Sequence, residues 1–373
     1  PEWASPGHRD CMVGNNSASV VTDAFLKGII KTDAEKMYQG LLHGANNVHP
    51  KVNSSGRYGY KEYNKLGYVP YNLNQSGART LEYAYNDWCI YQMGKKLGRP
   101  ESELSVYKNR AMNYKNIFNK PFNLMSGRNA DGSFQANFVA EKWWDAFTEG
   151  SSWHYSWSVF HDIQGLIGLM GGEKTFVYML DSVFAMPPTF GPGTDTRGFL
   201  VHEMREMQII NMGQYAHGNQ PIQHMIYLYN YAGEPWKTQY WIREAMERLY
   251  TPNADGYCGD EDNGQTSAWY VFSALGFYSV CPGTDEYVIG APLFPKATIH
   301  LDNGNKVEII ADGNNQSTRY IQDLKLNGNK YTKNYFNHST LTKGAKIQFK
   351  MNETPNYSRG INKSDYPYSF SNE

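Results

Sequence analysis

The chain of 373 residues is poor in cysteine and lacks a long apolar run. Its four cysteines, Cys11, Cys89, Cys258 and Cys281, include no Cys-x-x-Cys pair, which argues against a zinc site. Free thiols are the default interpretation, and one bridge between Cys258 and Cys281 is possible if the protein is exported. Because no run of about 18 apolar residues occurs, no membrane span is predicted.

The chain also lacks an excess of charge of either sign, since 35 basic residues stand against 36 acidic ones. Without a basic stripe, nucleic acid is not an expected partner. Aromatic residues are abundant instead, with 29 tyrosines, 17 phenylalanines and 9 tryptophans. This composition fits a protein that stacks aromatic rings on sugars, and it fits a well-packed core equally well.

Residues 1–285 follow a helical pattern interrupted by long polar loops. Apolar spacing and capping residues predict helices at about 20–31, 33–46, 78–97, 102–117, 157–170, 173–185, 221–232, 235–250 and 265–276, with a long loop at 47–76. Long loops on a succession of helices favour an α/α toroid over a compact bundle.

The pattern changes in residues 286–373, where apolar and polar residues alternate. Short alternating runs separated by Asn-Gly turns predict a small antiparallel β segment. A sheet with so few large apolar groups is thin, so we expect it to need a partner layer.

Residues 259–265, with the sequence GDEDNGQ, form the most acidic loop and directly precede an apolar helical segment. The alternating carboxylates of Asp260 and Asp262 suit a site in which one acid addresses a water or an ion and the other orients it. The plain alternative is a turn with a helix N-cap.

Glu149 is a second candidate, because it stands among the aromatic residues of 143–157. A carboxyl group surrounded by aromatic rings loses water, which raises its pKa and suits a general acid. Trp153, Tyr155 and, further away, Trp88 are candidates for contact with the apolar face of a sugar. The alternative is a first-turn acid at a helix N-terminus, with the tryptophans in the core.

Several motifs in one order carry a resemblance to a known family. They lie at residues 11–16, 79–84, 149–155, 213–221, 227–233 and 259–269. With these motifs, the chain resembles the C-terminal half of a glycoside hydrolase family 92 enzyme, one of the calcium-dependent exo-α-mannosidases of bacteria.

The resemblance implies a mainly α fold, with an incomplete (α/α)6 toroid at 1–285 and a β segment at 286–373 that packs on an absent N-terminal β-sandwich domain. It implies that Glu149 is the general acid, that Asp262 is the base and that Asp260 supports the base. In an inverting enzyme these groups lie on opposite faces of the sugar, about 6.5–9.5 Å apart.

The resemblance also implies a bound Ca2+, for which Asn219, Gln220 and Asn263 are the candidate ligands. His217 and His224 are candidates for contact with sugar hydroxyls, although a polar turn and structural histidines are open alternatives. Many family members carry glutamate where this chain has Gln220, which puts calcium binding and linkage preference in question.

The expected partners are a mannose-containing glycan and the N-terminal half of the same protein, which this chain would need for stability and activity. The expected location is periplasmic, secreted or outer-surface. Two other functions stay open, namely a non-catalytic carbohydrate-binding fragment and another toroid enzyme such as an α-glucosidase or a lyase. Substitution of the two acids separates enzyme from binder, and calcium chelation separates mannosidase from glucosidase.

Overall fold

The computed structural model describes residues 11–194, 198 and 200–373. These residues form two compact units along the chain. The first contains residues 11–162, 189–194, 198 and 282–284, and the second contains 163–188, 200–281 and 285–373. The acidic loop belongs to the second unit and Glu149 belongs to the first.

The first unit is built mainly from helices. They are α1 (Ser17–Leu26), α2 (Ala34–Ala45), α3 (Tyr60–Leu66), α4 (Ser76–Lys96), α5 (Glu101–Arg110) and α6 (Ser152–Tyr155), with a 3-10 turn at Asn113–Ile117. Two short hairpins accompany them, formed by β1 (Val48–His49) with β2 (Val52–Gly56) and by β3 (Phe118–Asn119) with β4 (Leu124–Met125).

Helix α4 is the centre of the first unit, and α1, α2 and α5 pack around it. It is buried along most of its length, including the charged side chain of Asp87. Arg57 pairs with Asp87 at 2.6 Å and the hydroxyl of Tyr63 donates to the same carboxylate at 3.1 Å. A buried charge needs such partners, so these contacts hold α3 and the turn before it against α4.

The second unit contains the remaining helices and the longer strands. Its helices are α7 (Ile163–Met170), α8 (Glu173–Ala185), α9 (His202–Ile210), α10 (Pro235–Leu249), α11 (Gln265–Leu275) and α12 (His338–Leu341). Its strands are β5 (Phe277–Tyr278), β6 (Glu286–Ile289), β7 (Lys296–His300), β8 (Lys306–Asp312), β9 (Tyr320–Leu326), β10 (Asn329–Lys330), β11 (Tyr335–Asn337) and β12 (Ala345–Asn352). Turns of 3-10 helix lie at Gln220–Ile222, Met225–Tyr231, Lys363–Asp365 and Phe370–Asn372.

The C-terminal strands form a five-stranded sheet in the order β10-β9-β12-β8-β7 and a three-stranded sheet in the order β11-β6-β5. This confirms the predicted β segment, with one difference. The pair β12–β8 is parallel, with Ile347 opposite Ile309, whereas the other pairs are antiparallel. Sequence alternation reports which face of a strand is buried, but it does not report the direction of its neighbour.

Part of the partner layer for this sheet comes from the unit's own helices. Phe272 and Leu275 of α11 pack against the buried cluster of the sheet. From α10, the side chain of Gln239 accepts a hydrogen bond from the amide of Ile321 at 2.9 Å. Packing on an additional N-terminal domain stays a prediction.

Three predictions about elements were wrong. The segment 47–76, predicted as loop, contains the β1–β2 hairpin and α3, and residues 225–231 form a 3-10 helix instead of an α-helix. Helix α9 was not predicted. None of the four cysteines forms a disulfide bond, so the possible Cys258–Cys281 bridge is not formed. Within the described residues, no helix combines the length and the apolarity needed to cross a membrane.

Candidate active site

The acidic loop before α11 has an unusual backbone. Asp262 and Asn263 both adopt left-handed φ angles, of 53° and 54°, and Gly264 follows at 104°. For residues with a side chain this conformation costs about 1 kcal/mol each. Strain of this kind persists only where the surroundings hold it, and it is frequent at functional sites.

The three carboxylates of the loop have different roles in the structure. Glu261 accepts from the amide of Gly264 at 2.9 Å and from the hydroxyl of Ser267 at 2.5 Å. The Ser267 bond, followed by the Gly264 amide, lowers the pKa of Glu261. Glu261 therefore anchors the loop to the start of α11, which leaves Asp260 and Asp262 as the candidates for chemistry.

Asp262 is partly buried and lies against Gln220. The side-chain amide of Gln220 donates to a carboxylate oxygen of Asp262. Burial, and next the negative charge of Asp260, raises the pKa of the Asp262 carboxyl above its usual value. A raised pKa brings a carboxylate closer to the value at which it is an effective general base near neutral pH.

Two glycines make the contact between Gln220 and Asp262 possible. A Cβ atom on Gly259 would lie 2.3 Å from the carbonyl oxygen of Gly218, and one on Gly218 would lie 2.9 Å from that of Cys258. The segment before Gln220 and the segment before Asp262 therefore cross backbone against backbone. Asn219, whose side chain accepts from the amide of Gln220 at 3.1 Å, is buried at the same crossing.

The candidate calcium ligands are thus partly assembled. Asn219 and Gln220 are adjacent, Gln220 contacts Asp262, and Asn263 follows Asp262 in the chain. These groups offer carbonyl and carboxylate oxygens, which are the donors that Ca2+ prefers. Among the described residues no cluster of three or more histidine, cysteine, aspartate and glutamate side chains forms a metal site. A cation here would depend on amide oxygens, backbone and water for most of its ligands.

Glu149 also has a left-handed backbone, with φ at 49°. The short helix α6 begins just after it, capped by Ser151, whose amide donates to the Nδ1 atom of His154 at 2.8 Å. Glu149 precedes the cap and is only partly exposed, while Thr148 and Gly150 on either side are buried. Ser151 is therefore the N-cap residue of α6. Glu149 lies before the cap, so it is not an acidic residue in the first turn of the helix.

A pair of aromatic side chains lies close to Glu149. Tyr155 stacks on Phe147 with ring centroids 5.3 Å apart. Burial, and next the charges of Glu82 and Glu149, raises the pKa of the Tyr155 hydroxyl. Trp153 is nearly buried, and its indole N–H has no hydrogen-bond partner among the described residues. A sugar hydroxyl would satisfy this donor, so Trp153 stays a candidate for substrate contact.

His217 has a structural environment. It is fully buried, with its Nδ1 atom 2.7 Å from the hydroxyl of Tyr215 and its Nε2 atom 2.7 Å from that of Tyr250. Burial lowers its pKa to about 3, so the ring is neutral. Both nitrogens are used, and contact with a sugar would require one of these bonds to open.

The other two predicted contact residues are buried as well. His224 is 4% exposed at the start of the 3-10 helix Met225–Tyr231, and its role stays a prediction. Trp88 is fully buried in α4, where its ring lies 5.9 Å from those of Tyr85 and His161. This is the packing of a core residue, and it gives no support to the predicted contact between Trp88 and a sugar.

The structure adds a cluster that the sequence analysis missed. His202, at the start of α9, lies between Glu206 at 3.0 Å and Glu203 at 3.2 Å, with Asp260 of the acidic loop at 3.8 Å. The four-residue spacing of His202 and Glu206 is a signal of one helix face. It was not recognised because α9 was not predicted.

A cavity of about 460 Å3 lies beside the same loop in the second unit. Its apolar wall includes the exposed side chains of Ile209 and Tyr257, and Glu206 and Cys258 also line it. Burial, and next the charge of Glu206, raises the pKa of the Cys258 thiol to about 12. The thiol is therefore protonated at neutral pH and a poor nucleophile.

Glu149 and Asp262 belong to different units, so their predicted placement across one sugar stays a prediction. Each unit separately contains an acidic residue with a left-handed backbone. In the first unit Glu149 lies near aromatic side chains, and in the second unit Asp262 contacts the side-chain amide of Gln220.

Comparison with known proteins identifies the family of this chain. The family described as the glycosyl hydrolase family 92 catalytic domain matches residues 1–353. Among solved structures, a GH92 inverting mannosidase from Bacteroides thetaiotaomicron is 50% identical, with a TM-score of 0.90 over 100% of this chain and 50% of that chain. A GH92 α-mannosidase from the same organism, solved with mannoimidazole, is 34% identical, with a TM-score of 0.86 over 96% of this chain and 46% of that chain.

A curated relative is described as an uncharacterized secreted glycosidase from Arthroderma benhamiae. It is 26% identical over 392 residues, which cover 95% of this chain and 47% of the relative. This chain thus spans about half the length of the relatives that it matches. The matches confirm the predicted fold class, a mainly α chain of the (α/α)6 toroid type followed by a small β segment.

Proposed function

The chain belongs to glycosyl hydrolase family 92, and on that premise we propose that it is the catalytic part of an inverting, exo-acting α-mannosidase. The proposed reaction removes a terminal α-linked mannose from the non-reducing end of a glycan. Support for the sugar comes from two structural relatives that are named as mannosidases. Support for the chemistry comes from the acids of this chain.

The observation that carries the proposal is the contact between Gln220 and Asp262. It fixes one oxygen of a partly buried carboxylate whose backbone is held in a left-handed conformation. The other oxygen is then available to accept a proton from water. A base with a fixed orientation and a raised pKa is what the activation of water requires.

The proton donor in this proposal is Glu149. The carboxylic acid protonates the glycosidic oxygen as the bond to the anomeric carbon breaks, while Asp262 accepts a proton from the water that attacks the opposite face. The anomeric configuration is therefore inverted. Asp260 supports Asp262, and Trp153 and Tyr155 border the acid side, where the free indole N–H of Trp153 can donate to a sugar hydroxyl.

We further propose that Ca2+ is held by Asn219, Gln220 and Asn263, since their oxygen donors suit that cation. When bound, the cation would supply positive charge to the sugar hydroxyls and favour a flattened ring. The chain's own residues supply the proton transfers, and Gln220 keeps Asp262 oriented with or without the cation.

The site of action in this proposal is outside the cytoplasm, in the periplasm, at the outer surface or in the medium. Support comes from the relative described as a secreted glycosidase. N-glycans are the proposed source of the terminal mannose, and the N-terminal half of the same protein is the proposed partner of this chain.

The test is to follow hydrolysis of an aryl α-mannoside by proton NMR, with the chain alone and with the predicted N-terminal half supplied. The expected first product is β-mannose, which mutarotates later. Initial release of α-mannose would exclude the inverting mechanism, and turnover of the α-glucoside instead would support the glucosidase alternative. Binding of mannosides without any turnover would support the non-catalytic alternative.

A further inference from the structure

The imidazole of His202 joins two elements of the second unit. On α9 it contacts Glu203 at 3.2 Å through its Nε2 atom and Glu206 at 3.0 Å through its Nδ1 atom. Across to the acidic loop, the Nε2 atom lies 3.8 Å from a carboxylate oxygen of Asp260. His202 is thus a side chain through which α9 reaches the loop that carries Asp262.

The cluster around His202 is rich in negative charge. The side chains of Glu203 and Glu206 are 11% and 21% exposed, and one oxygen of each has no hydrogen-bond partner within the described part of the chain. In that same part, no lysine or arginine forms an ion pair with Glu203, Glu206, Asp260 or Asp262. Among the described residues, His202 is therefore the side chain whose positive charge can balance these carboxylates.

The charge state of the imidazole follows from its neighbours. Burial opposes protonation, but Glu203 and Glu206 on its own helix and Asp260 on the facing loop outweigh it and raise the pKa of His202 above its usual value. From further along the loop, Asp262 adds negative charge. With all these groups acidic, His202 is protonated over more of the neutral range than a free histidine.

We propose that His202 is a positioning residue, whose protonated ring ties α9 to Asp260 and so holds the base side of the active site in place. This inference rests on the proposed function of the loop. The carboxylates of Asp260 and Asp262, which are separated by one residue in the loop, repel each other and would turn apart without a nearby cation. Asp260 is 68% exposed and its carboxylate has this single ion-pair partner among the described residues, so its orientation depends on His202.

The test compares two substitutions that separate charge from shape. His202→Lys keeps a cation at every pH below about 10, whereas His202→Gln keeps polarity without charge. We expect His202→Gln to lower kcat about 10-fold with KM nearly unchanged, because a misplaced base slows chemistry more than binding. We expect His202→Lys to recover most of kcat and to abolish the alkaline loss of activity that follows deprotonation of His202.

The matched control is His300→Gln, on an exposed histidine of β7, which should leave kcat and its pH profile unchanged. Equal loss of kcat in both His202 variants would assign the residue a structural role and overturn the proposal. Wild-type kinetics in both variants would overturn it as well.

A second measurement does not depend on turnover. The titration of His202 is followed by NMR of histidine-labelled chain, with the signal assigned from His202→Gln, in wild type and in Asp260→Asn. Coupling to the loop predicts a lower pKa for His202 in Asp260→Asn, and no change in the control Asp302→Asn. If the wild-type chain shows no hydrolysis, the proposed function fails. The effect of Asp260→Asn on the pKa of His202 then decides the inference by itself, and an unchanged pKa would reject it.

Discussion

A Cβ atom on Gly259 would lie 2.3 Å from the carbonyl oxygen of Gly218. No side chain fits at that distance from a backbone oxygen, so one of the two segments would have to move. These segments lead directly into Gln220 and Asp262, which are in contact. The distance between the proposed base and its amide partner is therefore set by two residues that have no side chain.

Gly259→Ala should damage both stability and activity. We expect a loss of about 2–4 kcal/mol in the free energy of unfolding, measured with urea, and loss of most mannosidase activity. The control is Gly168→Ala in α7, where an added Cβ meets no atom within 4 Å and helix propensity predicts a gain of about 0.5–1 kcal/mol. If Gly259→Ala kept wild-type stability and activity, the close backbone contact between Gly259 and Gly218 would be contradicted.

Substitution of the two proposed catalytic acids should give different dependences on the leaving group. Glu149→Gln removes the proton donor, so hydrolysis of a mannose disaccharide should fall about 100- to 10,000-fold, but hydrolysis of dinitrophenyl mannoside much less. Asp262→Asn removes the base, and both substrates should lose activity to a similar extent. Asp255→Asn, an exposed neighbour in the preceding loop, is the control. If the two variants lost activity in the same pattern, the assignment of acid and base would be wrong.

Gln220→Glu should strengthen calcium binding. It adds a carboxylate next to Asp262, and a greater ligand charge tightens Ca2+ sites. We expect the half-saturating calcium concentration to fall about 10-fold, read both from activity and from the calcium-dependent rise in Tm. In EDTA the same variant should melt below wild type, because two carboxylates then repel. An unchanged calcium response would show that residue 220 is not a ligand.

Glu286 should make the second unit less stable as pH rises. Burial raises the pKa of this carboxyl to about 7, although the amide of Tyr368 donates to it at 2.6 Å. Because the folded pKa is above the ordinary value of 4.5, the protonated form favours folding, and its contribution is lost as pH rises through about 7. Relative to Glu286→Gln, wild type should lose about 3 kcal/mol of unfolding free energy between pH 4.5 and pH 8.5.

Urea unfolding at a series of pH values measures this difference. Glutamine keeps an acceptor for the Tyr368 amide, so the comparison isolates the charge. If the difference between the two proteins did not vary with pH, Glu286 would not titrate in the folded chain as its burial requires.

Elements with strong local signals could be predicted from the sequence. Helix α8 spans the predicted residues 173–185, and α10 begins at the predicted Pro235. Elements whose form depends on distant contacts could not. The polar strand β2 is held by pairing with β1, and the segment Met225–Tyr231 is buried on every side, so its periodicity does not distinguish a 3-10 helix from an α-helix.

The candidate site was predictable as a set of residue types and not as a set of contacts. The acidic loop and Glu149 were identified because acids beside aromatic residues or glycines are locally conspicuous. The contacts of His217 with Tyr250 and of His202 with Asp260 were not, because both partners come from distant positions in the chain. Buried Met204, Met207 and Ile210, spaced three apart, were the signal that could have revealed α9.

The five-stranded sheet has a consequence for how the chain behaves at high concentration. Its two outer strands are β10, which is only two residues long and ends in Lys330, and β7, which begins at Lys296 and ends at His300. Short, cationic border strands offer a poor template for another polypeptide to add to the sheet. The chain is thereby protected against edge-to-edge fibre growth, even though the central strands β8, β9 and β12 are long and rich in aliphatic residues.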